Sequence, residues 1–184
     1  MTPKPLKKKR CRECKAEFMP FRPLQHACSP DCALNLARKK GAAKQRKQLV
    51  EGREKLKTLT DYKNEAQTAF NKFIRARDGN VCITCGTTNP NIQYAAGHYR
   101  TVKAASQHRY NEDNVHTQCN YACNSVKAGN IAAYRPALIN KIGLERVLAI
   151  ENNNSEIKYT VEELKQIKTK YNKLTRELKK GLSN

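Results

Sequence analysis

Cys82-Ile-Thr-Cys85, then Gly97-His98, then Asn114, then Cys119-Asn-Tyr-Ala-Cys123-Asn124 is the stretch whose reading decides the fold. Two close cysteine pairs, a hairpin's length apart, can clamp a short ββα frame on one zinc ion. On that frame His98 follows Ala95-Ala96-Gly97, small residues that let a backbone or a substrate come close. Asn114 stands five residues before Cys119, where its amide can bond across the hairpin and hold the loop that carries His98. Asn124 directly follows the last cysteine, at the start of a predicted helix. Its side-chain oxygen suits magnesium or manganese, which prefer oxygen ligands, and the helix N-terminus adds positive potential for a phosphate.

These residue types answer the needs of phosphodiester hydrolysis. A water must lose a proton, charge growing on the phosphate must be neutralised, and the departing oxygen must be stabilised. A neutral imidazole at His98 can do the first, and one hard cation held by few protein groups can do the other two. Arg100, Lys103, Arg109 and Lys127 are the nearby candidates for phosphate contacts. Each assignment has a plainer counterpart. His98 is otherwise a structural histidine or a ligand of the catalytic metal, Asn114 a turn cap, Asn124 a helix cap, and the cysteines those of a non-catalytic zinc ribbon. His108 and His116 read as solvent-exposed or as outer neighbours of a metal.

The bulk composition frames this centre. The chain has 184 residues and a net charge of +20, from 36 Lys and Arg against 16 Asp and Glu. Apolar residues are sparse and tryptophan is absent, which argues against one large core and for small zinc-stapled modules joined by helices. The positive excess points to a polyanionic partner, with a solubility surface or ribosome association as the bland alternative. No stretch approaches the roughly 20 apolar residues of a membrane span, and no apolar segment follows the basic N-terminus. A soluble, cytoplasmic protein is expected. All eight cysteines fall in short pairs (11/14, 28/32, 82/85, 119/123), which in a reducing compartment reads as two zinc sites.

Along the chain, residues 1–10 form a basic arm. Residues 11–32 form a first zinc knuckle, Cys11-Arg-Glu-Cys14 with Cys28-Ser-Pro-Asp-Cys32, whose hairpin is expected to hold Phe18, Phe21 and Leu24. Ser29 caps a helix there with Pro30 in its first turn, and His26 competes as a ligand. Residues 33–60 read as a basic linker helix without a packed face, carrying Arg38, Lys39, Lys40, Lys44, Arg46 and Lys47 as DNA-contacting candidates. Residues 61–151 form the domain that holds the site. Its first helix, 61–77, is capped by Thr60 or Asp61 and has Ala66, Ala69, Phe70, Phe73 and Ile74 on one side. Short helices follow around 131–142 and 144–151, with Pro136 suited to a first turn and Gly143 between them. Residues 152–184 supply a last helix, opened by the capping box Thr160-Val-Glu-Glu163, with an apolar stripe that packs on the body or on a second copy. The fold class is α+β and mostly helical.

The pattern Cys82-x-x-Cys85…Gly97-His98…Asn114-Val…Cys119-x-x-x-Cys123-Asn124-Ser-Val-Lys127 resembles the HNH, or ββα-metal, endonuclease motif in its four-cysteine form, a treble-clef-like arrangement. That resemblance implies His98 as general base, Asn114 as the residue that fixes the loop, and Asn124 as a ligand of a catalytic divalent metal. Cys11-x-x-Cys14…Cys28-Ser-Pro-x-Cys32, the basic helix, Ala96-Gly97-His98-Tyr99-Arg100-Thr101, Lys127-x-Gly129-Asn130 and Tyr134-Arg135 also resemble, nearly end to end, the NinG (Rap) family of lambda-type phages. That family implies a structure-specific endonuclease acting on recombination intermediates, D-loops and Holliday junctions, with a divalent metal, in the host cytoplasm. Two features depart from the motif. Many HNH enzymes place an aspartate ligand just before the histidine, where this chain has Gly97, so either the cation has fewer protein ligands or Asp113 or His108 reaches it. The last cysteine pair is also spaced x-x-x rather than x-x, which shifts Asn124 along its helix.

Three functions fit these observations: an endonuclease for branched DNA, a non-catalytic zinc protein that binds DNA and recruits recombination factors, and an HNH nickase without structural preference. All three need phosphate contacts, so charge does not separate them.

Overall fold

The structure, a computed structural model, describes residues 7–181. The first six residues of the expected basic arm lie outside them. The chain divides into two compact units between Lys57 and Thr58.

In the first unit, β1 (Lys9–Arg10) pairs antiparallel with β2 (Glu17–Phe18), so the end of the expected arm is a strand of the knuckle. The turn between them brings Cys11 and Cys14 together, with the Lys15 amide donating to the Cys11 carbonyl at 3.0 Å. The expectation that this hairpin encloses Phe21 and Leu24 is corrected: they are 90% and 84% exposed. The zinc frame is too small to cover them, since the loop's own polar bonds stay close to its backbone. Helix α1 (Pro30–Lys55) starts at Ser29, whose hydroxyl accepts from the Cys32 amide, and buries no residue. It begins earlier and ends sooner than expected, because Ser29-Pro30 is a strong start signal and the chain breaks before the Thr58 cap of the next helix.

The second unit is built on α2 (Leu59–Asp78). Thr58, not Thr60 or Asp61, caps it; Asp61 is the third helical residue and completes a capping box. Ala66, Ala69, Phe70, Phe73 and Ile74 are buried as the periodicity predicts. They face α5 (Val161–Gly181), whose Leu164 and Tyr171 complete the main core with Tyr110 and Val115. Phe70 meets the Tyr171 ring edge-on at 4.8 Å. The stripe of α5 thus packs on the body, within the same unit as the site.

Between these helices in sequence lies the hairpin of β3 (Tyr94–His98) and β4 (Val115–Cys119), antiparallel with His98 opposite Val115 and Gly97 opposite His116. Alternation gives the strands two covered faces. Ala96 and Val115 join the α2 core. On the other face His116 meets Tyr134 of α3 (Ile131–Ile142), and Tyr134 donates to the Gly97 carbonyl at 3.0 Å. Helix α4 (Leu144–Asn152) closes a second core of Tyr99, Tyr134, Leu138, Val147 and Ile150. Gly143 separates α3 from α4 at φ 87°. Pro136 sits inside α3, not in its first turn; the turn at residues 128–130 starts that helix earlier than Pro136 suggests.

Among the described residues, no helix is long and apolar enough to cross a membrane.

Candidate functional site

Each cysteine set converges. In the hairpin, the sulfurs of Cys82 and Cys85 each lie 3.8 Å from that of Cys119, with Cys123 in the same group. In the knuckle, Cys14–Cys28 and Cys28–Cys32 are 3.5 and 3.7 Å apart, with Cys11 beside them. A disulfide needs about 2.05 Å. A tetrahedron of thiolates around zinc, with Zn–S of about 2.3 Å, has edges of about 3.8 Å. Both tetrads therefore could hold zinc, and His26 is outside the group. Burial alone would raise the Cys82 thiol, but the Thr84 hydroxyl and nearby backbone amides outweigh it and bring it to about 6, largely thiolate at neutral pH.

The x-x-x spacing of the last pair is absorbed by winding. Residues Asn120–Val126 form a wide π-type turn, which takes more residues per turn than an α-helix and brings Cys123 back to the tetrad. The exit is sharp: Ala128, Gly129 and Asn130 have φ of 46°, 87° and 48° in succession. Two non-glycine residues in that left-handed region cost conformational energy. The turn is held by the Gly129 amide, which donates to the carbonyls of Cys123 and Asn124 at 3.0 Å each, and by the Gln118 carboxamide, which donates to the Gly129 carbonyl at 2.8 Å.

His98 and Asn124 line one cleft of about 550 Å³, together with Ala96, Thr101, Arg109, Gly129 and, from α2, Gln67 and Asn71. His98 Nε2 lies 3.1 Å from the Arg109 carbonyl. A carbonyl only accepts, so Nε2 carries the proton and Nδ1 the lone pair. Nδ1 has no hydrogen-bond partner among the described residues. Burial holds the His98 pKa below its usual value, aided by the Arg109 charge and opposed by the Arg109 carbonyl. The ring is neutral at pH 7.

Asn114 is fully buried. Its oxygen accepts from the Arg100 amide at 2.8 Å, and its nitrogen donates to the carbonyls of Arg100 (3.0 Å) and His108 (3.1 Å). One side chain thus closes the loop from Tyr99 to Asp113, which carries the Arg109 carbonyl to His98. Asn124 donates weakly to Asn120 Oδ1 at 3.5 Å, leaving its own oxygen without a hydrogen-bonded partner among the described residues.

The cationic candidates separate. Arg109 donates from Nε to Gln67 at 2.9 Å, and its guanidinium lies 5.6 Å from the centre of the Tyr110 ring. Lys103 and Lys127 are exposed. Arg100 is corrected: its guanidinium donates to the carbonyls of Ile150, Glu151 and Asn153 and to Asn154, closing the C-terminus of α4. An arginine with that many fixed acceptors is a structural cap. On α1, Arg38, Lys39, Lys40, Lys44, Arg46 and Lys47 are all exposed; Lys39 pairs with Glu13.

The solvent-exposed reading of His108 and His116 is also corrected, since they are 4% and 1% exposed. His108 bonds Asn111 inside the loop, and His116 is sealed behind the hairpin against Tyr134. Asp113 pairs with Arg146. None of the three lines the cleft. Apart from the two cysteine tetrads, the described residues form no group of three or more His, Cys, Asp or Glu able to hold a metal. A hard cation in the cleft would have Asn124 as its oxygen donor, with substrate phosphate and water for the rest, as magnesium accepts.

Sequence reasoning missed Gln67, Asn71 and Gln118. The first two sit on the polar flank of α2, joined by a 2.7 Å bond, a spacing indistinguishable from an ordinary exposed helix pair.

The family model described as "Bacteriophage Lambda NinG protein" matches residues 3–181. The chain is 39% identical over 197 residues to "Protein ninG" of Escherichia phage lambda, covering 96% of each chain. It is 39% identical over 199 residues to "Protein ninG" of Escherichia phage 933W, covering 98% of each, and 37% identical over 197 residues to that of Salmonella phage P22, covering 96% of each. No solved structure matches.

Proposed function

The chain belongs to the NinG family, and on that footing we propose that it is a metal-dependent endonuclease of the HNH, ββα-metal type that cleaves branched DNA such as Holliday junctions and D-loops. The observation that carries this reading is the shared cleft: a neutral imidazole with its tautomer set by the Arg109 carbonyl, lining the same space as Asn124 and Arg109.

In this reading a phosphodiester enters the cleft with Arg109 on a non-bridging oxygen. His98 Nδ1 takes a proton from the attacking water, and the positive ring is steadied by the Arg109 carbonyl. Asn124 would hold a divalent cation, magnesium or manganese, which would supply charge neutralisation at the phosphate and at the departing 3′ oxygen. Asn114 acts through the loop, keeping the Arg109 carbonyl where the ring needs it. The basic α1 and the exposed Lys103 and Lys127 add sequence-independent affinity for the DNA backbone. The protein would act in the cytoplasm on double-stranded branched DNA.

The test is cleavage of a labelled four-way junction with magnesium, by the protein and by His98→Ala. The proposal expects the variant to bind as before and to cut about 10²–10⁴-fold more slowly. Binding without cleavage by the unaltered protein would leave a non-catalytic recombination mediator. Equal cutting of junction and linear duplex would leave a nickase without structural preference.

A further inference from the structure

The first unit holds a surface that the cleft does not use. Between Phe18 and Ala27 the chain reads Phe-Met-Pro-Phe-Arg-Pro-Leu-Gln-His-Ala, and three large apolar side chains stand in water: Met19 at 57% exposure, Phe21 at 90% and Leu24 at 84%. The loop is braced, not slack. Pro20 and Pro23 restrict its backbone. The Gln25 side chain accepts from the Phe21 amide at 2.7 Å and donates to the Ala27 carbonyl at 2.8 Å, while the Gln25 amide donates to the Arg22 carbonyl at 3.1 Å. Lys9 reaches across to the Pro23 carbonyl. Phe21 also borders a groove of about 730 Å³ lined by His26, Pro30, Ala33, Leu36 and Lys40. Tied in this way, the loop holds the ring out and leaves apolar area for something else to cover.

The surroundings indicate what. Between residues 7 and 57 there are sixteen Lys and Arg against five Asp and Glu. A surface so charged repels a second copy of itself and attracts phosphate. An aromatic ring beside an arginine on a basic module matches the flat face of an unpaired base, which every nucleotide presents whatever its sequence.

We propose that the Phe21–Leu24 tip is a stacking platform for an unpaired base, engaged where a nucleic-acid duplex is interrupted. This rests on the nucleic-acid part of the functional reading and not on cleavage. It would make the first unit a reader of interrupted structure, with α1 supplying indifferent phosphate affinity.

The chain has no tryptophan, so Phe21→Trp installs a single reporter at the tip. The zinc-loaded full-length variant is titrated, without magnesium or manganese, with a duplex carrying a two-nucleotide gap and with the same duplex intact. The proposal expects tryptophan emission to be quenched by the gapped DNA and little changed by the intact one. It also expects Phe21→Ala to lose roughly ten-fold in affinity for the gapped DNA while binding the intact duplex as before. Unchanged emission at saturation, or equal losses on both DNAs, overturns it. So does a concentration-dependent dimer that Phe21→Ala dissociates, which would make the tip a contact between copies. Because the titration contains no catalytic cation, its outcome is independent of cleavage: stacking here with no cutting of a junction in magnesium would sink the nuclease reading alone.

Discussion

A β-carbon on Gly97 would land within the carboxamide of Gln118, 2.7 Å from its Cδ and closer still to its Oε1. Any side chain at the position one residue before the candidate base, an aspartate included, therefore requires Gln118 to move. Gln118 fills that space from the neighbouring strand and reaches on to the Gly129 carbonyl, in the turn that returns from Asn124. Gly97→Ala must displace a fully buried side chain and is expected to cost about 1–3 kcal/mol. Gln118→Ala removes the obstacle, so the double variant should lose less than the sum of the two. A urea-unfolding double-mutant cycle measures this; simple additivity would mean that the two residues do not share one space.

Elemental analysis of the purified protein is expected to give two zinc ions per chain. Cys82→Ser should retain one and lose the cooperative unfolding of the second unit, because a structural zinc site contributes folding free energy outright. Cys11→Ser with Cys14→Ser should retain the other, leave the helices of the second unit folded, and weaken DNA binding. Zinc content and circular dichroism on the same samples distinguish these outcomes from general misfolding.

Asn114→Ala strips partners from the Arg100 amide and from the carbonyls of Arg100 and His108 at once. We expect a loss of about 2–4 kcal/mol in denaturant unfolding. Asn114→Asp retains the acceptor but not the donors, and should fall between. A variant as stable as the parent would show that the loop is held by other contacts.

Acid should destabilise the second unit by a calculable route. Burial pushes His116 down to about 3, with the charges of Lys141 and Arg77 lowering it and those of Asp78 and Asp113 opposing. The unfolded chain then takes up a proton near the usual histidine value while the folded one does not. The stability His116 contributes is complete above about pH 6.5 and is lost as pH falls toward 3. Asp78 adds a second loss at lower pH. Burial would raise its pKa, but Arg77, the Thr117 amide and Lys141 together hold it below the usual carboxylate value. Its contribution is present above the unfolded value and disappears as pH falls through the folded one. His116→Gln should flatten the dependence of the unfolding midpoint between pH 6.5 and 4, at fixed zinc. An unchanged slope would place the acid sensitivity elsewhere.

Much of this molecule is legible before folding. Cysteine spacing anticipates both tetrads because a zinc site is local: two short knuckles satisfy it wherever they lie. The helices of 131–142 and 144–152, and the box at Thr160–Glu163, follow from signals only a few residues long. Asn114 bonds across the base of the loop, one of the two roles its position allows from sequence.

The errors are of another kind. Arg100 reads as a phosphate contact because free and committed arginines share one letter, and the carbonyls that occupy it come from residues 50–53 positions later in the chain. His108 and His116 read as exposed or as outer neighbours of a metal because a polar ring in a strand or loop carries no mark of what will be packed over it. Phe21 reads as core because apolar residues usually are.

The sequence by itself determined the two cysteine tetrads, the helical periodicity and the pairing of a histidine with two asparagines, all encoded in spacing and residue type over short range. Only the tertiary structure decided which cations stay open, that Gln118 rather than residue 97 fills the space beside the histidine, and that an aromatic tip stands in water. Those depend on which distant atoms arrive at one point, and that is settled by packing across the whole chain.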